Sequence, residues 1–225
     1  MRLVRVALPL LGAPLLAAGI YAAALGGLAD AHYYNARTIL GAAAQSKRPP
    51  EAAYLTSADA SLAAARALEP ANPLFLEQRA RIHEMQALQL PHGDPAARAL
   101  LKQALGEFRD AALMRPGSPY AWAAIAALKL RLDELDFEFY GALERADRFG
   151  RWEPAIQLEI ADIGLSNWRL MPYTARRLVL GAIARGMPRQ GPELRRVAAT
   201  HGALEQVCAE EITLRGAPTG LCVRN

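Results

Sequence analysis

Six carboxylates lie close together in the second half of the chain, and their type and spacing could support acid–base chemistry. They are Asp133, Glu134, Asp136, Glu138, Glu144 and Asp147. Two carboxylates on either side of a glycosidic bond can hydrolyse it, one as acid and one as base or nucleophile. Negative charge at a helix start also complements the helix dipole, and Asp133 and Glu134 precede a helical pattern. Arg145 and Arg148 follow as partners for the acids, so we favour the structural role and predict no catalytic residue.

The other residue types that carry chemistry are dispersed. The four histidines, His32, His83, His92 and His201, do not have metal-ligand spacing, and His83-Glu84 lacks the second histidine of a zinc-protease motif. The glycines form neither of the two common phosphate-binding loops. We therefore expect a protein that is not an enzyme and has no metal and no cofactor.

Two cysteines, Cys208 and Cys222, lie near the end of the chain. Neither belongs to a CxxC motif, and no histidine is spaced to complete a zinc site with them. In an oxidising compartment they are most simply a disulfide that closes the tail. Gly216, Pro218 and Gly220 lie between them and allow the chain to turn back. The alternative is a pair of unbonded buried thiols.

Arginine is concentrated between residues 169 and 196. Seven arginines stand against one acid, Glu193, in this stretch, and we call the seven the basic strip: Arg169, Arg176, Arg177, Arg185, Arg189, Arg195 and Arg196. A solvated helix face is the default interpretation. The alternatives are contact with anionic lipid head groups, an acidic glycan or an acidic partner. The net charge of +4 is small for 225 residues, and we expect no nucleic acid partner.

The composition predicts an all-α protein. Alanine makes up about a fifth of the chain, far above ordinary usage, and alanine is the best helix former. β-branched residues, which favour strands, are sparse. Helix starts are marked by a capping residue before proline at Asn72-Pro73, Asp94-Pro95 and Ser118-Pro119. The pattern predicts helices at about 51–69, 73–90, 95–115, 119–131, 134–149, 153–168, 173–185 and 192–213.

The N-terminal segment predicts a membrane helix. Residues 6–29 contain no charge, follow a short basic start at 1–5, and are long enough to span a bilayer. The helix could continue to about residue 45. A cleaved signal peptide is the alternative, with Ala29-Asp30-Ala31 as the cleavage site. Basic residues at the start favour a cytoplasmic N-terminus. Lys47 and Arg48 dilute that bias, but we still expect the rest of the chain outside the cytoplasm.

Two stretches share a spacing of small and large residues followed by two prolines. In 58–73, Ala58, Leu62 and Ala65 precede Pro70 and Pro73. In 104–119, the same places are taken by Ala104, Phe108, Ala111, Pro116 and Pro119. Spacings of four and three place the first three side chains on one helix face. This pattern resembles the second helix and exit turn of the tetratricopeptide repeat (TPR).

The resemblance covers two helix ends, which lie 46 residues apart rather than the usual 34. Trp122 lies where the first helix of that repeat carries its aromatic residue. The resemblance implies a short α-solenoid over residues 50–168, with Arg-rich helices and the cysteine-bearing tail at 169–225. It also implies a groove for a partner, with five candidate residues: Glu77, Arg81, Met85, Tyr120 and Arg131.

The whole chain resembles, more weakly, the VpsP-like family of bacterial exopolysaccharide biosynthesis. The likeness consists of the basic start, one apolar span, the helices around "RPGSPYAWAAIAALKLRL" and "WEPAIQLEIADIGL", and the cysteine-bearing tail. It implies a single-pass inner-membrane protein with a periplasmic domain. Such a protein would be a scaffold or accessory factor for polysaccharide assembly or export, acting through envelope proteins. The alternatives are a glycan-modifying enzyme that uses the acidic helix and a secreted peptide-binding or chaperone module.

Overall fold

The computed structural model describes residues 2–45, 50–91, 93–216 and 218–222. Helices and turns account for all of these residues and no strand occurs among them, which confirms the all-α class. Lys47 and Arg48, which enter the orientation argument, and His92 lie outside the described residues. The helices are α1 Arg2–Gln45, α2 Ala52–Leu68, α3 Pro73–Leu88, α4 Pro95–Met114, α5 Pro119–Arg131, α6 Phe137–Phe149, α7 Pro154–Ser166, α8 Tyr173–Thr200 and α9 Leu204–Arg215, with a 3₁₀ turn at Trp168–Leu170.

Proline marks the helix starts as predicted, but not every predicted capping side chain accepts a hydrogen bond from the first turn of its helix. Asn72 Oδ1 accepts the Leu74 N–H at 3.1 Å, and Asp94 Oδ1 accepts the Ala96 N–H at 2.7 Å. Ser118 precedes α5 without a side-chain cap, and its buried hydroxyl has no hydrogen-bond partner among the described residues. The predicted capping role of Ser118 is therefore wrong.

The acidic helix begins later than predicted. α6 starts at Phe137, and Asp136 is its N-cap, accepting the N–H groups of Glu138 and Phe139 at 3.0 and 3.1 Å. Asp133 has a φ of +60°, a left-handed conformation that stops α5 and keeps the next helix from forming there. Asp133 and Glu134 thus lie in the connecting turn rather than at the helix start.

The last two predicted helices are divided differently in the structure. α8 runs through Gly186 to Thr200, with a kink at Gln190 between Pro188 and Pro192. Gln190 Nε2 donates to the Pro154 carbonyl at 2.7 Å, which holds the kink against α7. Gln190 has non-helical dihedral angles, so the predicted break between residues 185 and 192 is present, with the first helix ending a few residues later than predicted. A second break, at 201–203 where Gly202 has a φ of +59°, divides the predicted helix 192–213.

The chain divides into two compact units, residues 1–100 and 101–225. In the first, α1 packs along α2, and α2 packs on α3. The core includes residues of all three helices: Ala29, Ala36, Leu55, Ala58, Leu62, Ala65, Phe75 and Ile82. Tyr33 of α1 meets Phe75 of α3 with ring centroids 5.7 Å apart. The second half of α1 is therefore part of the folded unit.

In the second unit, α5 pairs with α6, α7 with α8, and α8 with α9. The large buried side chains include Phe108, Ile125 and Phe139. Ala104, Phe108 and Ala111 are all buried, as are Ala58, Leu62 and Ala65 in the first unit. The predicted packing face is thus confirmed in both copies of the pattern.

Trp122, which the TPR resemblance places at the aromatic position of a first helix, lies at the edge of the core. Its side chain is half-buried, the Arg145 guanidinium lies 4.5 Å from its ring centroid, and its Nε1 donates to the Pro116 carbonyl at 2.7 Å. An indole with a hydrogen-bond donor at one edge favours such a boundary position over full burial. Arg145, which was predicted to pair with the carboxylates of the acidic cluster, instead contacts the Trp122 ring.

Candidate functional site

A polar cleft of about 390 Å³ lies in the second unit, and we treat it as the candidate functional site. One wall is the end of α7 with its 3₁₀ turn, residues 165–170. The other is the α8–α9 turn, residues 201–203, together with Gln206 of α9. Its size falls within the range of small-molecule sites, although it is more polar than most of them.

Arg169 and Gln206 face each other across the cleft. Arg169 Nε donates to Gln206 Oε1 at 3.2 Å, which fixes the plane of the guanidinium. Arg176 Nη2 donates to the Arg169 backbone carbonyl at 3.2 Å and so steadies the 3₁₀ turn. Arg176 is itself paired with Glu210 at 2.6 Å. The positive charge of Arg176 is therefore compensated, whereas the Arg169 side chain is exposed at the edge of the cleft.

Trp168 forms part of the inner wall. The residue is 2% exposed, and its indole Nε1 is buried with no hydrogen-bond partner among the described residues. The Arg176 guanidinium lies 5.5 Å from the centroid of its ring. A buried donor left without an acceptor costs about 1–3 kcal/mol, so such a group stands out in a folded domain.

His201 and Ser166 line this cleft and Asp162 is the partner of His201, but the three side chains do not form a nucleophile–base arrangement. His201 Nε2 and Asp162 Oδ1 are 2.8 Å apart. The Ser166 hydroxyl donates to the Ile163 carbonyl at 2.9 Å and accepts from Asn167 Nδ2 at 3.2 Å. An activated serine must instead donate its proton to the base. Ser166 is therefore hydrogen-bonded to its own helix end here.

The predicted acidic cluster has a different neighbourhood, centred on one buried lysine. Lys129 of α5 has a side chain that is 3% exposed. Its Nζ lies 3.1 Å from Glu134 Oε2, 2.8 Å from Asp136 Oδ2 and 3.0 Å from Glu138 Oε2. Arg109 of α4 adds a two-pronged contact to Glu138 at 2.7 and 2.6 Å. Three carboxylates thus contact the Lys129 ammonium group, and the Arg109 guanidinium contacts one of them, Glu138.

These contacts set the protonation of the cluster. A hydrogen bond from Lys129 lowers the pKa of Asp136, and a hydrogen bond from Arg109 lowers the pKa of Glu138. Burial acts to lower the pKa of Lys129, but three carboxylate hydrogen bonds outweigh it and raise that pKa. A general acid requires a raised carboxyl pKa, so Asp136 and Glu138 are suited to holding charge rather than donating a proton. Burial raises the pKa of Asp147, although Arg185 pairs with it.

The basic strip does not form one open surface. Arg176 and Arg185 are paired with Glu210 and Asp147, and Arg195 Nη2 donates to the Gly220 carbonyl at 3.3 Å. The Arg177 guanidinium lies 5.7 Å from the centroid of the Tyr173 ring. Arg176, Arg185 and Arg195 hold α8 to its neighbours, whereas Arg177 contacts a ring of its own helix. The exposed members of the strip include Arg189 and Arg196, together with Arg169 at the cleft.

The five groove candidates fall in different surroundings. Glu77 is buried, and Met85 packs against the core of the first unit, so neither is open to a partner. α3 buries residues on more than one side, so the face that carries Glu77 and Met85 also contacts the core. Arg81, Tyr120 and Arg131 are exposed.

Cys208 and Cys222 form a disulfide with their Cα atoms 5.6 Å apart. Hydrogen bonds to the Glu211 carboxylate also hold the segment before Cys222. Buried Glu211 Oε2 accepts the Thr219 N–H at 2.9 Å and the Thr219 hydroxyl at 2.7 Å. The bond and the carboxylate together fasten residues 218–222 to α9.

α1 combines two surroundings along one helix. Among the described residues, Ala13–Ala42 is the helical segment that is long and apolar enough to cross a membrane. Leu15, Leu16 and Ile20 are about two-thirds exposed or more, whereas Ala29 and Ala36 are fully buried against the first unit. A segment of this kind can be a single span or a signal sequence.

The contact with the folded unit reaches Gly26. A β-carbon on this glycine would lie 2.9 Å from Glu69 Oε1 at the end of α2.

The cleft was missed by the sequence interpretation, which treated His201 as dispersed. The signal available in the sequence was Gly202, a residue able to end a helix, but the predicted helix 192–213 ran through this position. No family model, curated protein or solved structure matches this chain.

Proposed function

We propose that this chain is a single-pass membrane protein whose helical domain lies outside the cytoplasm and acts as a non-enzymatic scaffold. The observation that carries the proposal is the continuity of α1. It runs as one helix from the exposed apolar segment into the core of the first unit, where Ala29 and Ala36 are buried. An anchor built this way holds its domain rigidly at the membrane, which suits a protein that positions others.

The continuity also favours an anchor over a cleaved signal. Ala29-Asp30-Ala31, the alternative cleavage site, lies inside α1, and Ala29 is fully buried beside α2. Proteases cut preferentially at exposed, poorly ordered loops, and a packed helix is a poor substrate. Residues 6–28 span about 35 Å as a helix, enough for a hydrocarbon core of about 30 Å.

The disulfide supports a location outside the cytoplasm, because such bonds persist in oxidising compartments. The TPR-like pattern supports action through protein contacts, since stacked helix pairs present long binding surfaces. The process proposed, polysaccharide assembly or export, rests on the resemblance to the VpsP-like family. The partners are then other envelope proteins.

The first experiment tests the anchor. Membranes from the native host are washed with carbonate, and the N-terminus of the protein is determined by mass spectrometry. We expect the protein in the pellet with residues 2–28 still attached. A mature chain that begins at Ala31 or His32 and is recovered in the supernatant would overturn the anchor.

The second experiment tests the scaffold. The full chain is cross-linked in native membranes and its partners are identified. A matched control carries residues 26–225 on an unrelated membrane helix, which preserves the folded units. We expect both proteins to capture the same envelope components of a polysaccharide machinery. Capture of none of these components by the full chain would refute the proposed process.

A further inference from the structure

We infer that the cleft between the 3₁₀ turn and the α8–α9 turn binds a small carboxylate ligand through Arg169. This site is independent of the proposed anchor and scaffold. It belongs wholly to the second unit, and its walls are formed by the end of α7, the 3₁₀ turn, the α8–α9 turn and α9.

The first argument concerns the orientation of Arg169. Its Nε is used by Gln206 Oε1, and this bond orients the guanidinium while leaving the two terminal nitrogens for other acceptors. Two parallel N–H donors match the two oxygens of a carboxylate. Because the fork is already oriented, a ligand loses less side-chain freedom on binding than it would at an unrestrained arginine.

The second argument concerns the balance of donors and acceptors. Gln206 Oε1 accepts from Arg169, so the amide nitrogen of Gln206 is the end of that side chain left to donate. The buried indole Nε1 of Trp168 has no acceptor among the described residues. Asn167 donates to Ser166, whose hydroxyl is directed at the Ile163 carbonyl. The Trp168 N–H is fully enclosed, so the donors open to a ligand are the terminal nitrogens of Arg169 and the amide nitrogen of Gln206, and these favour a ligand that carries acceptors.

The third argument concerns charge. Among the residues that line the cleft, Arg169 carries the one permanent charge, while His201 is bonded to Asp162. The neighbouring Arg176 is neutralised by Glu210. The N-terminal end of α9 adds a partial positive charge, and Glu205 in its first turn offsets that charge. The single positive charge of the Arg169 side chain matches a singly charged carboxylate better than a doubly charged phosphate.

The size of the cleft limits the ligand. A volume of about 390 Å³ is near the lower end of small-molecule sites and open to solvent on one side. A single ring with one carboxylate and several hydroxyls fits this description. The hydroxyls would meet the amides of Asn167 and Gln206.

The test uses the full chain in detergent micelles with nitrogen-15 in its tryptophan side chains. The readout is the indole N–H resonance of Trp168, identified by its loss in Trp168→Phe. Glucuronate is the probe, glucose is the neutral probe of the same ring size, and inorganic phosphate is the second anion. We expect a saturable shift with glucuronate, corresponding to a Kd on the order of 1 mM, and a much weaker response to the other two.

Three variants assign the binding to Arg169. Arg169→Gln removes the charge and the fork, and we expect the affinity for glucuronate to fall at least tenfold. Arg169→Lys keeps the charge without the fork and should bind with intermediate affinity. Arg196→Gln removes an exposed arginine of α8 outside the cleft and should leave the affinity unchanged.

Three results would overturn the inference. The first is the absence of a saturable shift with glucuronate up to about 100 mM, a concentration at which even a very weak site would respond. The second is equal or tighter binding of glucose or phosphate. The third is an equal loss of affinity in Arg169→Gln and Arg196→Gln, since nonspecific charge attraction would then explain the binding.

Discussion

Gly164 of α7 and Val179 of α8 approach so closely that a β-carbon on the glycine would lie 2.3 Å from Val179 Cγ2. Both residues are buried, and the contact lies in the helix pair that carries one wall of the cleft. The absence of a side chain at position 164 is therefore what sets the separation of the two helices.

Gly164→Ala should destabilise the protein. Alanine in a helix gains about 0.5–1 kcal/mol over glycine from backbone entropy, but the overlap with Val179 should cost about 1–3 kcal/mol. We expect a net loss in the free energy of unfolding, measured by denaturant titration in detergent.

Gly106→Ala in α4 is the matched control, because nothing lies within 4 Å of its added carbon, and it should be stabilising. The double variant Gly164→Ala with Val179→Ala should lose less than the sum of the single losses. Simple additivity would argue against the contact.

Lys129→Met should test the charge cluster. The buried ammonium is lost while the apolar stem is kept, and three carboxylates remain close together. Because they are partly exposed, we expect a loss of about 2 kcal/mol, between the values for surface and buried pairs. The control, Lys102→Met on exposed α4 surface, should change stability by about 0.5 kcal/mol or less. Equal melting of both variants and the parent would show that the cluster contributes little.

The same cluster predicts a dependence on pH. Asp136 and Glu138 have lowered pKa values in the folded state. Their contribution is therefore complete above the unfolded values of about 4 and is lost as the pH falls through the folded values. We expect the free energy of unfolding to drop in acid more steeply for the parent than for Lys129→Met. Parallel curves for the two proteins between about pH 5 and pH 2 would contradict this.

Ala111→Leu should test the packing face shared by the two repeated stretches. Ala111 is fully buried, so three extra carbons must overpack its surroundings at a cost of about 1–3 kcal/mol. Ala99→Leu, at an exposed position of the same helix, should have little effect. Thermal unfolding followed by circular dichroism compares the two. A similar melting temperature for both would mean that the pocket around Ala111 yields freely.

The disulfide predicts the behaviour of the tail. In protein isolated from its native host, both thiols should resist alkylation until a reductant is added. Replacing Cys208 and Cys222 by serine should speed hydrogen exchange at the Thr219 amide, which depends on Glu211 staying in place. The loss of stability should be about 3 kcal/mol in the chain-entropy model. Free labelling of both cysteines before reduction would refute the bond in the native compartment.

Local patterns were sufficient to predict the all-α class, most helix starts and the buried face of the two repeated stretches. Proline after Asn72 or Asp94 fixes a helix start, and small residues at spacings of four and three reveal a packing face, because both depend on neighbours in sequence. The surroundings of Lys129 could not be predicted in this way. Its partners lie on the following turn and on α6. Arg109 of α4 also contacts Glu138, although the two residues are 29 positions apart in the sequence.

The cleft was also out of reach of local patterns. It needs the end of α7 and the start of α9 to meet, and that meeting depends on the kink at Gln190. The sequence analysis placed a helix end at Gly186 and a new helix at Pro192, whereas the chain kinks at Gln190, whose side chain donates to the Pro154 carbonyl.

In α1, the distance of the first unit from the apolar segment and the rotation of the unit about the helix axis are linked. Each residue of an α-helix advances about 1.5 Å and turns about 100°. One residue inserted between Ile20 and Gly26 would rotate the apolar face of the segment about 100° relative to the first unit. Three or four inserted residues would almost restore the facing while raising the unit by about 5 Å. A flexible linker would absorb either change. We therefore expect the function of this chain to vary periodically with the number of inserted residues, with a period of about 3.6 residues, and not only with the length of the insertion.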